Sequence, residues 1–236
     1  MVAALGETTA GPVLPHLLDN MLESEEGRRI LKERPRINTS TVDMAALARL
    51  PENTFGHTYV TWLERCGVTP DTRDPVRPPI HAPSLPLAHA DRLQVHYIDD
   101  PELAYVMQRY RECHDFYHAL CGMPVSVEYE LALKVFEFAN LGLPSAALST
   151  AAVVRLNAAK RARFFSEYLP WALRCGSAAR SMITVYWEER WSQDLGELKK
   201  ELGVWDPPPA KWRRPLSEAK EAAARRATAE SSSQTS

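Results

Sequence analysis

The chain has 236 residues, 45% of them hydrophobic and 25% charged, with a net charge of −2, a make-up that excludes a disulfide-stapled miniprotein and supports a self-sufficient core. The near balance of charge leaves no global field to attract nucleic acid, so no nucleic-acid partner is expected. The four cysteines, Cys66, Cys113, Cys121 and Cys175, contain no C-x-x-C pair, which excludes a zinc ribbon or a thioredoxin-type motif and predicts reduced thiols.

Strand signals are weak throughout and capped apolar periodicities recur, which predicts an all-α fold: one helical domain over residues 1–206 and a charged tail over 207–236. A first helix is expected from Pro15 to Glu33, stopped by Pro35. A short helix follows Ser40 and ends before Pro51, and a third spans Gly56 to Arg65 and closes at Gly67. From Pro78 to Tyr97 the chain turns Pro- and His-rich and reads as a long loop or insert. The irregular spacing of its histidines 81, 89 and 96 suits surface residues better than a metal cluster.

Asp99-Asp100-Pro101-Glu102 is a helix start, with Asp100 as N-cap and Pro101 in the first turn. That helix is expected to run to about Leu120. Gly122 and Pro124 then break the pattern, and a second helix from about Val125 to Leu141 completes a helix-turn-helix hairpin. Further helices are expected over Ser145 to Lys160 and Ala162 to Leu169, with a long amphipathic one from Ser177 to Leu202 that places Trp187 and Trp191 on one core face. Pro207 to Pro209 end the folded part. Residues 211–226 carry six bases against two acids and read as a solvated tail able to touch an anionic lipid surface. The longest weakly polar stretch, Leu141 to Val154, falls short of the roughly 20 residues that span a bilayer. Nor do the first residues, Met1 to Glu7, show a basic region before an apolar run or an Arg-rich presequence, so no transit segment is expected in the chain as it stands.

The chemistry concentrates in the hairpin. His114-Asp115-Phe116-Tyr117-His118 is followed after 11 residues by Glu130, the pattern H-D-x-x-H-x11-E. At about 100° per residue, Asp115 and His118 lie about 100° and 40° from His114, so three potential ligands share one sector of a helix. The turn at Cys121 to Pro124 folds the chain back and brings Glu130 level with the histidines. Glu128 points elsewhere, about 200° round the helix, and is expected on the solvent face. Two imidazoles and two carboxylates suit zinc, and iron or manganese would accept the same set. The competing reading is a pair of core histidines with carboxylate hydrogen-bond partners. Arg111, one turn before His114, is a candidate to receive a substrate carboxylate through its fork, or else pairs with Asp115 at i,i+4. Cys121 and Met107 fall in the same sector as wall rather than ligand.

With these residues in view, the sequence resembles the mitochondrial ubiquinone (coenzyme Q) biosynthesis protein 4 family. The resemblance is densest over Ile98 to Pro124 and is supported by Glu33-Arg-Pro-Arg-Ile37, Thr69-Pro-Asp-Thr-Arg73 and Tyr186-Trp-Glu-Glu-Arg-Trp191. It implies a helical, peripheral protein on the matrix side of the mitochondrial inner membrane that helps to hold the ubiquinone biosynthesis proteins in a complex. It also implies removal of the C1 carboxyl from a polyprenylated 4-hydroxybenzoate, either alone or coupled to hydroxylation of that carbon. By matching positions, His114, Asp115, His118 and Glu130 become zinc ligands. The segment 78–97 looks inserted relative to the family. The alternatives are a non-catalytic scaffold that presents lipid, with a structural metal, and a metal-dependent phosphohydrolase suggested by the adjacent His-Asp pair. Apolar faces on several helices also make a homo-oligomer an option.

Overall fold

The computed structural model describes residues 2–71, 95 and 97–212, with side chains from residue 5 onward. Among them the chain forms eleven α-helices and short 3-10 and π turns, and no β-strand. The chain opens on α1 (Val2–Ala10), which was not expected from the sequence. The single helix expected over residues 15–33 is two, α2 (Leu14–Glu23) and α3 (Glu25–Glu33). Ser24 is extended and its hydroxyl accepts from the Gly27 amide at 3.2 Å, capping a new helix start. Gly27 permits the fold-back, because a Cβ there would lie 2.2 Å from the Met21 carbonyl oxygen. Next come α4 (Met44–Ala48), capped by Asp43, and α5 (Phe55–Cys66), which ends on Gly67 in the left-handed region at φ 67°.

The hairpin forms as the punctuation demands. Helix α6 (Pro101–Cys121) begins where the Asp100 carboxylate accepts from the amides of Glu102 and Leu103 at 2.8 and 3.0 Å. It ends at Gly122, whose φ of 61° suits a residue without Cβ. Helix α7 (Val127–Leu141) returns from the turn and stops at Gly142. Side chains of α6 are buried almost all round from Ala104 to Cys121, so this helix is the axis about which two apolar clusters assemble. One holds Tyr59, Trp62, Phe116, Phe136 and Trp187; the other holds Leu17, Ile30, Tyr105 and Ile183.

Beyond α7 the expected boundaries shift. Helix α8 (Pro144–Ser149) runs into a 3-10 turn over Thr150–Arg155, and Asn157 caps α9 (Ala158–Arg163) by accepting from the Lys160 amide at 2.9 Å. A π turn, Phe164–Tyr168, leads into α10 (Leu169–Ala178). The long helix expected over 177–202 does not form; only α11 (Leu195–Leu202) is α-helical there, after 3-10 turns at Met182–Thr184 and Trp187–Glu189. Its backbone is used elsewhere. Gln193 and Trp191 carbonyls accept from the Phe55 and Gly56 amides at 2.9 and 2.8 Å, and the Leu195 amide donates to Asn53 at 2.8 Å. Trp187 is a buried core aromatic all the same, and half-buried Trp191 packs against that core, stacking on Phe55 at 5.5 Å between centroids.

Folded structure continues past Pro209. The Lys211 amide donates to the Tyr129 hydroxyl at 2.6 Å, and the Arg65 guanidinium lies 3.9 Å from the Trp212 ring centroid. Residues 213–236, including most of the basic tail, lie outside the described residues, as does the 78–97 segment apart from Val95 and Tyr97. Val95 is buried in the second apolar cluster and the Tyr97 amide donates to Glu7 at 3.1 Å. No described helix is long and apolar enough to cross a membrane.

Candidate metal centre

His114 and His118 are successive turns of α6, both buried, and Glu130 faces them from the first turn of α7 with its side chain one-third exposed. One ligand atom from each of the three lies within 4.8 Å of the others. Glu130 spans the pair, with Oε2 at 3.4 Å from His114 Nε2 and Oε1 at 3.0 Å from His118 Nε2. The second contact is close in distance but not aligned as a hydrogen bond, which leaves His118 Nε2 a buried nitrogen without a hydrogen-bond partner. Such an orphaned group calls for an explanation, and a cation among the three supplies one.

The far sides of both rings are tied down. His118 Nδ1 lies 3.0 Å from the Met123 carbonyl, which also accepts from Trp62 Nε1 at 2.7 Å, and Trp62 stacks on the His118 ring. His114 Nδ1 meets the buried Glu137 carboxylate. Each Nδ1 is therefore engaged by an oxygen while each Nε2 faces Glu130. This is the arrangement of imidazoles that bind a metal through Nε2.

Charge at the cluster follows from the same contacts. Burial opposes ionisation of Glu130, yet the two imidazoles beside it hold its carboxyl far below the usual carboxylate range. Glu137 is likewise held low, against its own burial, by Lys134 and His114. Burial and Lys134 disfavour the charged form of His114, but Glu137 and Glu130 outweigh them and raise its proton affinity. The centre thus concentrates negative charge where protons, or a divalent cation, would be held. The thiols are poor competitors as ligands: burial pushes Cys66 up to about 11 and Cys121 up to about 12.

Asp115, the fourth expected ligand, is half-buried and does not join the three. Its charge instead bears on Cys66. Arg111 is buried with Nη1 donating to Glu7 of α1 at 2.9 Å, so part of the fork expected to receive a substrate carboxylate is held by a protein carboxylate. Glu128 is not on the solvent face: it is 1% exposed and paired with Arg163, 2.7 Å away, on α9. Glu128 does point away from the three converging groups, but Arg163 of α9 covers it there. Glu137 was missed. Its signal is the polar series Glu130, Lys134, Glu137 at i, i+4 and i+7, one stripe on a helix whose other polar residues are Glu128 and Asn140.

Beside the first turn of α7 lies a cavity of about 680 Å³, with Arg65, Cys66, Tyr129, Lys160, Arg163 and Trp212 in its wall. Arg163 is matched by Glu128, whereas Arg65 rests on the Trp212 ring. The wall is therefore cationic and partly aromatic.

Fold and site together define an all-helical protein whose central hairpin converges two imidazoles and a carboxylate. The sequence model of the family described as coenzyme Q (ubiquinone) biosynthesis protein Coq4 matches residues 1–79 and 86–208, and the chain belongs to that family. The interruption, 80–85, is narrower than the insert expected over 78–97. The ubiquinone biosynthesis protein COQ4, mitochondrial, of Laccaria bicolor is 63% identical over 231 residues, 98% of this chain and 71% of that protein. Its namesake in Coprinopsis cinerea is 63% identical over 227 residues, covering 96% and 72%. The Arthroderma otae relative is 52% identical over 209 residues, covering 88% and 71%. A crystal structure from Nostoc punctiforme, described as a candidate ubiquinone biosynthesis protein, superposes with a TM-score of 0.58 over 81% of each chain. At 19% identity it supports the helical fold alone.

Proposed function

We propose that this protein removes the C1 carboxyl group from a polyprenylated 4-hydroxybenzoate intermediate of ubiquinone synthesis, at a metal held by His114, His118 and Glu130. The observation that carries the proposal is the convergence of the three ligand atoms within 4.8 Å, with His118 Nε2 left without a hydrogen-bond partner. Three protein ligands leave a coordination position for substrate, as catalytic sites require and closed structural sites do not. Asp115, next to His114, is the reserve fourth ligand by its place in the motif.

When bound, a divalent metal supplies Lewis-acid stabilisation of charge on a substrate oxygen; zinc does only this, whereas iron in a two-histidine, one-carboxylate set also supports oxygen chemistry. The residues of the chain do the rest. Met123 and Glu137 fix the two imidazole planes, and burial keeps bulk water from the histidines. The ring's para-hydroxyl feeds electron density to C1. As the bond to the carboxyl carbon breaks, its electron pair stays on C1 and a proton from solvent takes the place of carbon dioxide; where hydroxylation is coupled, one atom of dioxygen takes that place and the other leaves as water, with two electrons and two protons drawn from an external two-electron donor. The cavity at the start of α7, beside the centre and not lined by its three ligands, offers Arg65 and Lys160 to an anionic group and aromatic walls to an apolar part of a substrate that reaches beyond the centre. Arg111, held by Glu7, anchors α1 against the site helix.

The relatives' mitochondrial names support a mitochondrial place for this chain; a peripheral position on the matrix side of the inner membrane, among other ubiquinone biosynthesis proteins, is part of the same proposal and rests on the family resemblance. A scaffold role with a structural metal is the second reading, favoured because His114, His118 and Glu130 do not line the 680 Å³ cavity. Incubation of metal-loaded protein with a polyprenylated 4-hydroxybenzoate, under air and under nitrogen, separates the two. Carbon dioxide released by the wild type and not by His118→Ala supports the enzyme; no release under either gas supports the scaffold.

A further inference from the structure

Glu137 is not one of the three converging groups, yet no part of its side chain is exposed. One carboxylate oxygen meets His114 Nδ1; the other accepts from the Tyr110 hydroxyl at 2.7 Å and from Lys134 Nζ at 2.6 Å. Lys134 also donates to the Tyr110 hydroxyl at 3.1 Å, closing a triangle that fixes the carboxylate in place. An ionised carboxylate only accepts hydrogen bonds, so Glu137 calls for a hydrogen on His114 Nδ1, and in the neutral ring that leaves the lone pair on Nε2, the nitrogen that faces Glu130. Lys134 Nζ itself stands 3.1 Å from His114 Nδ1. Without the carboxylate, that ammonium is placed to donate to Nδ1, which would move the ring hydrogen to Nε2 and block the ligand nitrogen.

We infer that Glu137 is a positioning residue that sets the His114 tautomer, and with it the affinity of the centre for a divalent cation, while engaging the Lys134 ammonium in the closer contact, 2.6 Å against 3.1 Å to the ring. The inference rests on the reading of His114 as a metal ligand, but its geometry is a property of the chain alone. Loss of a partner of this kind weakens metal binding by about 10–100-fold.

Zinc affinity is measured by competition with a chromophoric chelator, and helicity by circular dichroism. Glu137→Gln is expected to bind zinc about 10–100-fold more weakly than wild type at unchanged helicity. Adding Lys134→Met to it is expected to recover part of that loss, a rescue that a merely structural role does not predict. If Glu137→Gln alone fails to fold, the double variant, which leaves no stranded ammonium, carries the comparison with wild type. The second measurement needs no metal: nitrogen-15 spectra of the histidines in metal-free protein at alkaline pH. The expected result is hydrogen on Nδ1 of His114 in the wild type and on Nε2 in Glu137→Gln. Hydrogen on Nε2 in the wild type overturns the inference, as does wild-type zinc affinity in Glu137→Gln. A wild type that takes up no zinc yet shows the Nδ1 tautomer upholds the positioning geometry and sinks the proposed metal chemistry.

Discussion

Arg109 is a fully buried charge on α6, five residues before His114 and with no exposed side-chain surface. Its guanidinium grips Glu188 in a two-pronged pair, one prong at 2.8 Å, and donates to the Val185 carbonyl at 3.2 Å. This clamp fastens the irregular 185–188 segment to the site helix. Glu188→Ala leaves the arginine charged, buried and short of its partner, a situation that costs about 3–5 kcal/mol in comparable pairs. The surviving bond to Val185 places the expected loss at the low end, about 3 kcal/mol, or a fall in Tm of about 6–12 °C for a domain of this size. Arg109→Met strands only Glu188, which is 18% exposed and can draw on water, so it is expected to cost about 1–2 kcal/mol, with the double variant close to it. Urea unfolding followed by tryptophan fluorescence and circular dichroism gives each value. A Glu188→Ala loss below about 1 kcal/mol, or an Arg109→Met loss equal to it, would refute the claim that the stranded buried cation sets the magnitude.

Other expectations follow from the same contacts. Arg163→Met leaves the 1% exposed Glu128 with only Lys160, 3.8 Å away, and is expected to lower stability by about 2–3 kcal/mol in urea unfolding, whereas exposed Arg161→Met should stay within about 0.5 kcal/mol. Arg111→Ala removes the cation paired with buried Glu7, which keeps the Tyr97 amide, and is expected to loosen α1, read as faster cleavage near the N-terminus in limited proteolysis with zinc binding retained. Glu26 is held below its ordinary value of 4.5, against the pull of burial, by the Tyr186 amide and by Arg180 and Arg190. A depressed carboxylate contributes stability above its unfolded pKa and loses it as pH falls through the folded one. The stability gap between wild type and Glu26→Gln should therefore be full at neutral pH and shrink steadily below about pH 4.5; a gap that is constant or widens in acid would contradict the pairing.

The hairpin was legible in the sequence because each of its boundaries carries its own chemistry. Asp100 caps one helix, and Gly122 and Gly142 end both in the left-handed region. The His114, His118 and Glu130 spacing needed only helical periodicity and a tight turn to converge. What the sequence concealed depends on distant partners. Glu128 looked exposed because nothing local reveals that Arg163, 35 residues on, covers it. Residues 177–202 carry a helical pattern, yet the Trp191 and Gln193 carbonyls bind the start of α5, so tertiary pairing overrides local preference. Ser24 splits the first expected helix because a cap inside an apolar period competes with its continuation. Asp115 shares a sector with His114 by periodicity, but the 100° between them is enough to turn its carboxylate away from the other three.

The most direct measurement is metal content and affinity of purified protein beside His118→Ala and Glu130→Ala, each checked for intact helicity. About one divalent metal per chain in the wild type, lost in both variants, is the result that the account predicts. Equal metal content in all three, or none in the wild type after metal reconstitution, would contradict a metal centre at the hairpin and return His114, His118 and Glu130 to a hydrogen-bonded cluster of the core.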